Sequence, residues 1–240
     1  MASQYLGAGR LTVVALLLSA GRWPRLEGQV VNLTEAEQRA GWTLLFDGTS
    51  TKGWHGYGQK TMPAGWQAID GALTRVGPAG DIVTDQQYQN FELSLEWQIA
   101  KGGNSGIFYR GVEAPDPQLT PLYHSAPEMQ VLDNALHPDG KSPLTSAGSD
   151  YGLYPAPATA VKPVGEWNQV RLVVNGDKVE HWLNGTKVVQ YQLGSADWLA
   201  RVTHSKFAEW PQYGKAATGV IGLQDHGDRV AYRQIKIRRL

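Results

Sequence analysis

The sequence predicts an all-β chain folded as an antiparallel β-sandwich with short peripheral helices. Three observations carry this. Residues 90–100, NFELSLEWQIA, place Phe91, Leu93, Leu95, Trp97 and Ile99 on one side and Glu92, Ser94, Glu96 and Gln98 on the other. A period of two is a strand with one buried face. The segment WNQVRLVVNGDKVEHWLNGTKVVQYQL holds Asn-Gly at 175–176 and 184–185. That dipeptide favours two-residue hairpins, so three strands follow as a meander. Finally, about a dozen short strand-like segments recur with turn residues at roughly 8–12-residue spacing, the habit of sandwich domains.

In chain order, Arg10 precedes the apolar run LTVVALLLSA, residues 11–20. A basic residue ahead of such a run reads as an export signal, too short to span a bilayer comfortably. SAG, Ser19 to Gly21, is a weak cleavage site, and cleavage before Gln29 is an alternative. The expected organisation is a signal peptide at 1–28, a short helical lead-in at 29–40 and one domain at 41–240. Within the lead-in, Thr34 and Glu37 form a capping box, and Gly41 stops the helix. WTLLFDG and WQAIDGALTR each turn at Asp-Gly. SGIFYRG and EMQVLDN follow as strands. Residues 134–165 are rich in Pro, Gly and Ser and read as a long loop, which in a compact domain is usually functional or mobile. A helix is expected over 196–210, stopped by Pro211. The last two strands flank GLQDHGD.

Composition narrows the function classes. Lys plus Arg equal Asp plus Glu at 22 each. A neutral chain lacks the basic footprint of a nucleic-acid binder, and it carries no polybasic run for anionic membranes. With no cysteine there is no disulfide, thiol chemistry or lipid-attachment cysteine. Nine Trp, ten Tyr and 28 Gly suit sandwich domains that handle sugars, although most large aromatics serve the core.

Candidate site residues come from strand parity. In PEMQVLDN, Met129 and Val131 share a face, so Glu128 and Gln130 share the other. In the strand before GLQDHGD, Ile221 and Leu223 oppose Gly222, Gln224 and His226. Gly222, without a side chain, suggests room for a ligand, and Asp225 points away. In SGIFYRG, Phe108 and Arg110 share a face. His181 lies with Val179 and Leu183 and reads as buried. Asp133 and Asn134 suit turns. No G-x-S-x-G elbow, H-E-x-x-H helix or phosphate loop is present. Gln130 stands where a second glucanase carboxylate would stand, so the two-carboxylate glycosidase mechanism is unsupported.

GWTLLFDGTSTKGW, NSGIFYRG, PEMQVLDN, GEWNQVRLVVNGDKVEHWLNG and GVIGLQDHGDRVAYRQIKIRRL, in this order from about Ala40 to Leu240, resemble the 3-keto-disaccharide hydrolase family. The resemblance implies a concanavalin A-like jelly-roll sandwich in a periplasmic or secreted bacterial protein. It implies cleavage of glycosides first oxidised at C3 by a separate sugar 3-dehydrogenase. A 3-ketone acidifies the C2 hydrogen, so one base and an oxyanion stabiliser suffice for β-elimination, followed by water addition. His226 and Glu128 are the acid/base candidates. Arg110, Gln130, Gln224, Asn104 and Trp182 are the substrate-binding candidates. A divalent cation on Glu128 and His226 is an alternative enolate stabiliser, but no ligand-spaced cluster identifies one, and the cofactor stays unassigned. The competing readings are a non-catalytic carbohydrate-binding module, with exposed Trp along an open groove, and a structural domain.

Overall fold

The computed structural model describes residues 30–114 and 119–240, so the expected signal segment lies outside the described residues. Among them no helix is long and apolar enough to cross a membrane. Helix α1, Glu35–Arg39, starts at Thr34, whose side chain and that of Glu37 close the capping box.

The chain forms two antiparallel sheets. The larger runs β11 (Thr186–Gln192), β10 (Lys178–Leu183), β9 (Asn168–Asn175), β6 (Phe91–Ile99), β13 (Val230–Arg239), β4 (Ala72–Arg75), β3 (Trp66–Ile69), with β1 (Trp42–Leu44) also on β13. The smaller runs β2 (Trp54–Gly56), β5 (Ile82–Tyr88), β12 (Gly219–Leu223), β7 (Asn104–Gly111), β8 (Glu128–Leu132). Both Asn-Gly turns join consecutive partners, β9 to β10 and β10 to β11. This is the all-β sandwich that the strand pattern predicts, in the jelly-roll form that the family resemblance implies.

The core lies between the sheets. Phe91, Leu93, Leu95, Trp97 and Ile99 of β6 are buried there with Ile107, Met129 and Val131 from the smaller sheet. At roughly 25 cal/mol per Å², burying such side chains is the main favourable term of folding. On the solvent side of β6, Glu92 binds Arg171 at 2.5 Å and Arg238 at 2.5 Å, and Glu96 binds Arg233 at 2.7 Å. Opposite charges on adjacent strands thus hold that face together.

The smaller sheet buries half of its outer face as well. Val83, Phe108, Leu122, Ala126 and Val220 form a second apolar cluster. Leu122 belongs to a 3₁₀ turn, Leu122–His124, laid across the sheet. The expected helix over 196–210 divides in two. Helix α2 is Ala196–Thr203, and Ser205 caps a separate 3₁₀ turn, Lys206–Glu209. The loop at 134–165 is pinned to β8. Gln130 N donates to Ser149 O at 3.1 Å, Gly148 N to Gln130 O at 2.8 Å and Tyr151 N to Glu128 O at 3.0 Å. β8 is the end of the smaller sheet, and these bonds satisfy backbone groups that an edge strand would leave open.

Candidate active site

β7, β8 and the end of β12 build a cavity on the remaining, polar half of that outer face. Its volume is about 180 Å³, and Asn104, Tyr123, Glu128, Gln130, Tyr151, Lys206, Gln224 and His226 line it. Pleating alone explains the floor. Alternate residues of a strand face one way, so Asn104, Gly106, Glu128, Gln130, Gly222 and Gln224 share the side opposite the core residues Ile107, Met129, Val131 and Leu223. Register sets the spacing: Gly106 pairs with Gln130 and Phe108 with Glu128.

Gly106 makes room for the carboxylate. A Cβ there would stand 2.1 Å from Glu128 Oε1. Glu128 is 6% exposed, and its pKa is raised to about 8. Burial is the main cause. Lys206 pulls the value down, while Asp81 and Asp139 push it up. Removing a carboxylate from water disfavours its charged form, so at neutral pH this group holds its proton. Two amide oxygens add to the floor. Asn104 Oδ1 and Gln224 Oε1 are buried and have no hydrogen-bond partner. Buried acceptors normally find a donor, so these two await one. Gln130 is engaged at both ends of its amide: Nε2 donates to Thr145 O at 3.3 Å, and Oε1 accepts from Val131 N at 3.1 Å.

The rim is more exposed. The Lys206 ammonium stands 4.5 Å from the Tyr151 ring centroid and 5.4 Å from that of Tyr123. His226 packs edge-on against His137, with ring centroids 6.3 Å apart. Among the described residues no three His, Cys, Asp or Glu side chains are grouped as a metal site.

The cavity therefore brings together Glu128, His226, Gln130, Gln224 and Asn104. Arg110 and Trp182 are elsewhere. Arg110 has a φ of 52°, which breaks the strand's alternation and turns the side chain aside. Its guanidinium donates to Gln89 O and Gly176 O. Trp182 stands on the outer face of the larger sheet. Its Nε1 donates to Glu180 at 2.8 Å, and Arg171 and Lys187 flank its ring. Gly222 does not open a ligand path either. A Cβ there would be 2.5 Å from Leu122 Cδ2, so the space is taken by the apolar cluster. Gly106 is the glycine that shapes the site.

The neighbours in GLQDHGD have structural partners. Asp225 binds Arg75 at 2.6 Å and accepts from Ala79 N, Gly80 N and Gly227 N. Burial opposes its charge, but these donors outweigh it and keep its pKa below the ordinary value. Asp133 accepts from Gly102 N at 2.7 Å and Ala135 N at 3.0 Å, and Asn134 Oδ1 accepts from Ala147 N at 2.8 Å. His181 is fully buried: Nδ1 donates to Gly148 O and Nε2 accepts from the Tyr109 hydroxyl, both at 3.0 Å. Burial lowers its pKa to about 4 and keeps it neutral.

Sequence reasoning missed Lys206, Tyr123 and Tyr151. All three come from turns and loops that fold back over the sheet. Strand parity carries no information about them. The signal within reach was the composition of the 134–165 loop, which marked that segment as functional or mobile without picking out Tyr151.

One small cavity on a β-sandwich thus gathers a carboxyl, an imidazole and an ammonium, groups that acid/base enzymes use. The chain belongs to the 3-keto-alpha-glucoside-1,2-lyase-like domain family, whose sequence model matches residues 41–238. The 3-keto-disaccharide hydrolase of Bacteroides thetaiotaomicron is 37% identical over 228 residues, taking in 83% of this chain and 79% of that protein. Two solved structures from Parabacteroides distasonis, each provisionally described as a glycosyl hydrolase, share the fold. The first is 35% identical with a TM-score of 0.81, covering 87% of this chain and 98% of its own. The second is 30% identical with a TM-score of 0.64, covering 83% and 99%.

Proposed function

We propose that this enzyme cleaves the glycosidic bond of 3-keto-glycosides by abstracting the C2 proton and eliminating the C1 substituent. The observation that supports it best is the Glu128 carboxyl, with a pKa near 8, in one cavity with His226 and Lys206. A base works best when its pKa lies close to the operating pH. The ionised Glu128 takes the proton from C2, and the C2–H electron pair forms the enolate on the C3 oxygen. The Lys206 ammonium faces that negative charge and stabilises it. The enolate electrons then form the C1–C2 double bond as the C1–O bond breaks. His226 gives the departing oxygen its proton. Water adds across the double bond, with its oxygen going to C1 and a proton returning to C2. Asn104 Oδ1 and Gln224 Oε1 accept from sugar hydroxyls, which supplies the donors these oxygens lack.

Such a substrate has to be made by oxidation of a glycoside at C3, so a sugar 3-dehydrogenase acts upstream. We place the reaction outside the cytoplasm, after export directed by residues 1–28 of a bacterial precursor. The test is to incubate the purified enzyme with a 3-keto-trehalose or 3-keto-glucoside and follow release of 3-keto-glucose, with and without EDTA. Release is expected, and none across a panel of keto-glycosides would refute the proposal. The EDTA arm asks whether a divalent cation shares the enolate's charge with Lys206.

A further inference from the structure

We infer that the enzyme binds an apolar leaving group in a second groove beside the catalytic cavity, and so selects keto-glycosides with aryl or similarly apolar aglycones. The inference rests on the reading of the Glu128 cavity as the seat of the keto-sugar. That cavity, about 180 Å³, falls below the roughly 300–1,000 Å³ typical of sites that enclose drug-sized ligands. It has the scale of a single sugar ring, so the substituent at C1 must lie outside it.

A separate groove of about 540 Å³ has Trp97, Leu132, Leu136, Val161 and Val164 among its lining residues. Two elements contribute to both spaces. β8 presents Glu128 and Gln130 to the cavity and Leu132 to the groove. At ~3.3 Å per residue, Leu132 is about 13 Å along the strand from Glu128, within the length of a ring-bearing glycoside. Leu132 also pairs with Asn104 of the cavity floor. The second element is the turn after β8. Its Leu136 lines the groove, while the next residue, His137, packs on His226. His226 is the residue proposed to protonate the departing oxygen, so the aglycone leaves the cavity on the side where this turn stands.

The groove is also where apolar surface is left open. Leu136 is 55% exposed and Val164 42% exposed, from two separate segments that face one space. Four charged residues, Lys101, Asp133, Lys162 and Glu166, share that lining; Asp133 is buried and tied to backbone N–H groups, and the other three are exposed. An apolar wall with a charged rim suits an uncharged, ring-bearing alcohol.

The test compares benzyl and methyl 3-keto-glucosides of one anomer, whose leaving alcohols have similar acidity. The wild type is expected to show a lower KM for the benzyl glycoside. The double variant Leu136→Ser/Val164→Ser should lower the benzyl-to-methyl ratio of kcat/KM about tenfold, through KM. Both positions are at the surface, so the fold should tolerate the changes. Equal KM values in the wild type, an unchanged ratio in the variant, or a keto-disaccharide bound more tightly than the benzyl glycoside would each overturn the inference while leaving the catalytic reading intact. No turnover of any of these substrates would overturn both.

Discussion

Glu128 owes its chemistry to its place on β8. A carboxyl in water titrates near 4.5, and burial against Gly106 moves this one to about 8. If it is the C2 base, only its ionised form is active. The kcat/KM profile should therefore rise with pH through about 8. Glu128→Gln should lower kcat by about 10²–10⁴-fold, the usual worth of a positioned base, and flatten that limb. Stopped assays across pH 5–9 would read both. The side of the sheet on which Glu128 lies was legible in PEMQVLDN, because Met129 and Val131 had to be core. Its raised pKa was not, since that depends first on burial by segments that arrive from distant parts of the chain, and then on the charges of Lys206, Asp81 and Asp139. Arg110 shows the opposite failure. Parity put it beside Phe108, but the positive φ at this residue breaks the parity rule, and no residue type in SGIFYRG signals it.

At the scale of elements, two adjacent strands and a tight pairing set the geometry of the base. Gly106 of β7 lies under the Glu128 side chain. Gly106→Ala keeps an ordinary strand conformation, and the atoms its Cβ meets belong to one side chain. The variant should therefore fold normally but push the carboxylate aside. A displacement near 1 Å costs on the order of 10²-fold in rate, so activity should drop by about that factor while the melting temperature changes little. The meander, β6 and the capping box were legible because each is a local pattern: a period of two, Asn-Gly, a Thr with Glu three residues on. The division of 196–210 into a helix and a separate turn was harder to see. Ser205 caps the second piece, yet a serine inside a helical stretch is not by itself a stop. Gly222 was misplaced for a similar reason. Its bare backbone does admit a neighbour, but that neighbour is Leu122 from a turn about a hundred residues earlier in the chain.

For the whole molecule, the site is carried at a cost to stability. Between pH 4.5 and about 8 the unfolded chain releases the Glu128 proton, whereas the folded chain keeps it. Stability must then fall as pH rises through that window. Asp81, raised to about 6 chiefly by burial, adds to the fall over its lower part. His181 acts the other way. With its folded pKa near 4, its contribution is whole above about 6.5 and is lost as pH drops toward 4. Glu128→Gln removes only the first of these terms. Relative to wild type, the variant should gain on the order of 1–3 kcal/mol at pH 8 over its value at pH 4.5, measurable by urea titration at the two pH values. An enzyme that gives up stability to hold a neutral carboxyl in its cavity fits the familiar exchange between stability and activity.

Cleavage of the C2–H bond separates elimination from direct displacement at C1. Cleavage of a 3-keto-glucoside in deuterium oxide, stopped at early turnover and compared with product incubated without enzyme, measures this directly. His226 and Lys206 leave the cavity rim open to solvent, so a proton held on Glu128 exchanges before it returns. The predicted product is 3-keto-glucose carrying deuterium at C2 beyond the control. Product released at the same turnover with protium at C2 would contradict the mechanism and point to direct displacement at C1.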